Sequence, residues 1–132
     1  MNQTTTDTRI SGVQTVSIPV ADQERALAFY VGTLGFEVRR DAPFGPGNRW
    51  IEVGAPGSAT TLALPPLGDL TPGVDTGIRL TTPAAAALHD RLAGEGVEVS
   101  EVLDFGPGVP PMFSMHDPDG NTLYVVEAMP GS

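Results

Sequence analysis

"HDPDGNTLYVVE", residues 116–127, decides how this chain is read. Asp117-Pro118-Asp119-Gly120-Asn121 has the composition of a tight turn. Proline presets one backbone angle, and glycine or asparagine accepts the positive φ that such turns need. Thr122-Leu123-Tyr124-Val125-Val126 follows at once with the alternation of a half-buried strand. The turn therefore joins that strand to the one before it, "PMFSMH" (111–116).

An earlier stretch matches this one. "RWIEVGAPG" (49–57) aligns with "PMFSMHDPDG" (111–120), "VQTVSIPV" (13–20) with "DTGIRLTT" (75–82), and "YVGTLGFEV" (30–38) with "RLAGEGVEV" (91–99). The offset stays at about 61 or 62 residues throughout, and that common spacing points to a duplicated unit. Each half reads strand, helix, then three strands.

In the first half, Val16, Ile18 and Val20 alternate with Thr15, Ser17 and Pro19. Asp22 is placed to cap a helix carrying Leu27, Tyr30, Val31 and Leu34, which Gly35 ends in a left-handed conformation. Strands are predicted at 36–41, 48–54 and 60–65. The second half gives a helix over 83–94 with Pro83 in its first turn, then strands at 97–104, 111–116 and 122–128. The predicted organisation is a flexible tail (1–11) and a single domain (12–128) of two units, 12–66 and 74–128, with linker 67–73. The fold class is α+β: two tandem βαβββ units whose curved mixed sheets enclose a cavity.

Period two sorts each strand by face. Val16, Ile18, Ile51, Val53, Leu62, Leu64, Ile78, Leu80, Phe113, Met115, Leu123 and Val125 are assigned beneath the helices. Thr15, Ser17, Trp50, Glu52, Thr61, Ala63, Gly77, Arg79, Met112, Ser114, His116, Thr122, Tyr124 and Val126 are assigned to the hollow.

Composition narrows the function. With 132 residues, one domain with a real core is expected. A net charge of −9 with only 7 basic residues argues against nucleic-acid and membrane-surface partners. The absence of cysteine removes disulfides, thiol catalysis and thiolate metal sites. No segment reads as a secretion signal or a membrane span, so a cytoplasmic location is expected.

The duplicated pattern, "PVADQERALAFYVGTLGFEV" and "DPDGNTLYVVE" together resemble the vicinal oxygen chelate superfamily of glyoxalases, extradiol dioxygenases, and fosfomycin- and bleomycin-resistance proteins. The likeness runs over residues 12 to 128. In metal-dependent members, four cavity-facing positions supply histidine and glutamate ligands. The resemblance places those positions at Thr15, Ala63, Gly77 and Tyr124, none of which carries an imidazole or carboxylate. A one-residue shift reaches Gln14 or Asp75, expected to point beneath the helices. No metal and no other cofactor is therefore expected.

Without a metal, the resemblance implies bleomycin-resistance-type use: a homodimer whose hollow binds or sequesters a small hydrophobic or aromatic molecule, with antibiotic resistance as the implied role. The candidate ligand-binding residues are Thr15, Ser17, Phe44, Trp50, Glu52, Arg79, Phe105, Met112, Ser114, His116 and Tyr124. Several have a second reading: Trp50 in core or interface packing, Tyr124 as a plug of the vacated metal position, Glu52 paired with Arg79, His116 bonded to Asp117 or Asp119. His89 is expected to be solvated. The alternative is a lyase- or isomerase-like enzyme in which Glu52 and His116 act as general acid and base. Burial would raise the Glu52 pKa for that task.

Overall fold

The computed structural model describes residues 6–65 and 70–129. Strand β1 (Thr15–Ser17) leads to a helix that begins as α1 (Gln23–Leu27) and continues as a π-helical turn (Ala28–Thr33). Asp22 caps it, accepting the Arg25 backbone N–H at 3.1 Å. The π turn closes with the Leu34 N–H on the Phe29 carbonyl, and it buries Phe29 and Tyr30 side by side. Gly35 then takes φ +80°, where a β-carbon would be strained, and the chain leaves the helix.

Strands β2 (Glu37–Pro43), β3 (Arg49–Gly54) and β4 (Thr61–Ala63) complete the first unit as a sheet of order β1-β4-β3-β2. The second unit holds β5 (Asp75–Thr82), α2 (Ala85–Gly94), β6 (Met112–His116) and β7 (Thr122–Glu127), with sheet order β5-β7-β6. In both units the first strand lies parallel to the last, and hairpins supply the antiparallel pairs.

Three expectations need correction. The strand expected at 97–104 is reduced to two isolated bridges, Val99 to Met115 and Leu103 to Met112. One more residue separates the bridges on that segment than on β6, so the ladder breaks at a bulge. A bulge also falls between Val38 and Arg40 in β2, the equivalent place in the first unit. Helix α2 starts at Ala85 rather than at 83, because its first N–H is capped from afar: Glu127 Oε1 accepts the Ala85 N–H at 3.1 Å. The expected linker 67–73 and tail 1–11 fall partly outside the described residues.

The helix-side half of the face sorting holds. Ile18, Ile51, Val53, Leu62, Leu64, Phe113, Met115, Leu123 and Val125 are buried in one core with Ala26, Tyr30 and Leu92, while Val16, Ile78 and Leu80 pack against it. Each such side chain contributes about 1.5–3 kcal/mol of transfer free energy, so strand parity strongly fixes which face turns inward.

The core is shared, which has a geometric consequence. Both sheets turn their helix-side faces into the same apolar interior, and their other faces look away from it. The sheets of one chain therefore do not close around a common cavity, contrary to the expectation. Instead, grooves of about 240 and 220 Å³ lie between the units, both bordered by Phe36, Ala55, Leu80 and Thr81 and the first also by Arg79. No helix among the described residues is long and apolar enough to cross a membrane.

Candidate functional site

The polar positions of the free faces carry the site candidates. On the first sheet, pairing registers put Ser17 beside Ala63, Ala63 beside Glu52, and Glu52 opposite Arg40. Glu52 occupies the centre of this row and is 6% exposed. Its carboxylate accepts the Trp50 indole N–H at 2.7 Å and the Thr61 hydroxyl at 2.8 Å. Trp50 follows from strand parity: two residues before Glu52 on β3, it lies on the same face. Phe44, from the β2–β3 loop, packs on Trp50 with ring centroids 5.6 Å apart. Thr15 stands next to Thr61 and donates to its carbonyl at 3.2 Å.

The free face of the second sheet centres on Tyr124, flanked by Arg79 on β5 and Ser114 on β6. The Arg79 guanidinium carbon lies 4.7 Å from the Tyr124 ring centroid. Tyr124 donates its hydroxyl to Asp75 Oδ2 at 2.7 Å. Asp75 was expected beneath the helices; β5 instead has an irregular register between Asp75 and Arg79, with Gly77 at φ +69°, and the carboxylate joins Tyr124. Met112 and Ser114 are half-buried, and Phe105 projects from its loop with 64% exposure.

The electrostatics correct the acid–base expectation. The Trp50 and Thr61 hydrogen bonds, helped by the Arg40 charge, hold the Glu52 carboxyl below its usual range despite burial. A carboxyl poised near neutrality is not what this environment makes. His116 Nδ1 lies 3.3 Å from Glu98 Oε1, at the rim of the second sheet. Within one chain Glu52 and His116 stand on different sheets and are not brought together. His89 also departs from expectation: its Nε2 meets the Ser100 carbonyl at 2.9 Å and its ring packs edge-on against Phe113. It pins α2 to the sheet. Hydrogen bonding of the Tyr124 hydroxyl to Asp75 raises the Tyr124 pKa, and the same bond lowers that of Asp75.

The positions that the resemblance gives to metal ligands lack the donors for one. Thr15, Ala63 and Gly77 offer no imidazole or carboxylate, and the Tyr124 hydroxyl is already committed to Asp75. Among the described residues no group of three or more His, Cys, Asp or Glu could hold a metal ion. These residues do not fit a divalent cation, and no chemistry is derived through one.

Comparison with known proteins agrees with the architecture. A family model described as Glyoxalase/Bleomycin resistance protein/Dioxygenase superfamily matches residues 12–125. The chain belongs to this superfamily. Among solved members, it resembles TnmS3, an antibiotic binding protein from Streptomyces sp. CB03234, at 35% identity and TM-score 0.81, covering 93% of this chain and 100% of that one. A superfamily member from Sphaerobacter thermophilus DSM 20745 matches at 36% identity and TM-score 0.83, over 90% of this chain and 98% of that one. The protein YetH of Bacillus subtilis (strain 168) is 37% identical over 57 residues, 43% of this chain and 48% of YetH, so about half of YetH's length is spanned.

Sequence reasoning missed Asp75, Thr61 as a Glu52 partner, and Arg40. The first is hidden by an irregular register in β5. Thr61 follows from parity once Glu52 is taken as the centre of its face, whereas Arg40 is hidden by the β2 bulge, which sets it rather than Arg39 opposite Glu52.

Proposed function

We infer that this protein is a metal-independent, small-molecule-binding member of the superfamily, of the bleomycin-resistance type. It holds a small hydrophobic or aromatic ligand in a hollow formed between copies of the chain. The observation that carries this reading is the pair of aromatic side chains, Trp50 and Tyr124, on sheet faces turned away from the chain's own core. Each face alone is a single wall; a binding hollow needs two. A homodimer in which the first face of one copy meets the second face of another supplies both and gives two equivalent sites. The relationship to an antibiotic binding protein supports this use, and antibiotic sequestration in the cytoplasm is the role that goes with it.

Binding rather than turnover is supported by the engagement of both Glu52 oxygens and by its lowered pKa, which leave little driving force for proton abstraction. The test is calorimetric titration with a panel of aromatic antibiotics in the presence of EDTA, followed by mass spectrometry of the recovered ligand. Saturable binding at one ligand per chain with unchanged ligand mass is the expected result. Product formation, or binding that requires added metal, contradicts the reading.

A further inference from the structure

All seven basic side chains of this protein are arginines. Five of them close an ion pair: Arg9 with Asp7, Arg25 with Asp119, Arg39 with Glu37, Arg49 with Asp41 and Glu24, and Arg91 with Glu95. Among the described residues, the two that do not are Arg40 and Arg79, and both belong to the free sheet faces. In a chain of net charge −9, carboxylates are plentiful, so an arginine without one marks a place where the charge is left available.

Each lies near a carboxylate that its charge helps keep ionised, Arg40 near Glu52 and Arg79 near Asp75; they differ in what holds the guanidinium. Arg79 is exposed and stacks on the Tyr124 ring, with one guanidinium N–H donating to the Gly77 carbonyl at 2.9 Å. Asp75 is the nearby carboxylate, but its oxygens take the Tyr124 hydroxyl and the Gly77 N–H. The stack and the carbonyl bond orient a planar fork whose remaining N–H groups have no acceptor among the described residues and can meet a two-oxygen acceptor. By contrast, the first face offers little to a ligand cation. Its Glu52 is nearly inaccessible, with a donor already on each oxygen.

Resting on the aromatic-binding reading above, we propose that Arg79 selects aromatic ligands bearing a carboxylate over neutral and cationic analogues. The aromatic body of the ligand packs against the Trp50 and Tyr124 faces, and its anionic group meets the guanidinium fork.

The experiment compares naphthalene-2-carboxylate, 2-naphthamide and 2-naphthylmethylammonium by calorimetry on the full chain and on R79Q, R79K and R40Q, each first checked for an unchanged melting temperature. The carboxylate is expected to bind at least about tenfold tighter than the amide, as a charge-assisted bidentate contact requires, with the ammonium weakest. R79Q is expected to close that gap, and R79K to keep part of it, because lysine supplies the charge without the fork. Equal affinities for all three probes overturn the charge selection alone and leave the aromatic-binding reading standing. A preference that survives R79Q, or that is lost in R40Q instead, overturns the assignment to Arg79. Failure of all three probes to bind overturns the proposal together with the aromatic-binding reading.

Discussion

The Tyr30 hydroxyl donates to Asp117 Oδ2 at 2.8 Å across 87 residues of sequence, tying the first unit's helix to the second unit's turn. Asp117 Oδ1 also receives the backbone N–H groups of Asp119 and Asn121, while the Asn121 amide reaches the Pro19 carbonyl at 2.8 Å. The "DPDGN" motif is thus a buried latch that holds the two units by their helix sides. By fixing them in that orientation it keeps the helix sides of both units in one shared core.

Removing the hydroxyl should loosen the latch without touching either face. Y30F is expected to lower stability by about 1–3 kcal/mol, the range for removing one partner of a buried hydrogen bond. Urea unfolding would read this as a lower midpoint with an unchanged slope. An unchanged midpoint would mean that the Tyr30–Asp117 bond contributes nothing net.

Acid should be sensed at Trp50. The Glu52 pKa is depressed in the folded state, so the stability it contributes is present above its ordinary value of about 4.5 and lost as pH falls through the lower folded value. Protonating Glu52 weakens its bond to the only indole in the chain. Trp50 emission is therefore expected to change with a midpoint below pH 4.5, and E52Q should abolish that transition. A midpoint near neutrality would instead revive Glu52 as a general base.

Ionisation of the phenols should be delayed in alkali. The chain has 2 tyrosines, and both titrate above the ordinary phenol value, Tyr30 through burial and the Asp117 charge, Tyr124 through its bond to Asp75. Raised folded values mean that the stability they contribute is present below the unfolded pKa and lost as pH rises through the folded one. In an ultraviolet titration of the native protein, little phenolate should form near pH 10. D75N should move Tyr124 back toward that value while Y30F leaves it unmoved.

Helix α2 carries a cap from the last strand, and cutting it should be measurable. E127A removes the acceptor of the Ala85 N–H and is expected to cost about 0.5–2 kcal/mol. Thermal unfolding checks this, with no loss as the contrary result.

Much of the fold was legible because period two leaves a visible trace. Ile51 and Val53 point inward and Trp50 and Glu52 outward, as their alternation requires. Asp22 and Gly35 mark the first helix by cap chemistry that is local in sequence. What stayed hidden depends on contacts no local pattern records. The bulges in β2 and before β6, and the break in β5, are single failures of register, and the last of them carries Asp75 to Tyr124. Tyr30 and Asp117 meet only because both units share one core. The lowered Glu52 pKa reverses the expectation from burial, because parity reveals Trp50 beside Glu52 but not the hydrogen bond between them.

The central claim is that a site needs faces from two copies, and subunit complementation tests it most directly. W50A breaks the first face and Y124A the second, so each homodimer should lose ligand binding. When the two variants are unfolded together in equal amounts and refolded, heterodimers should regain one intact site each, returning about a quarter of the wild-type binding capacity under random assortment. Recovery of no sites in the mixture would show that the site lies within a single chain and would contradict the account.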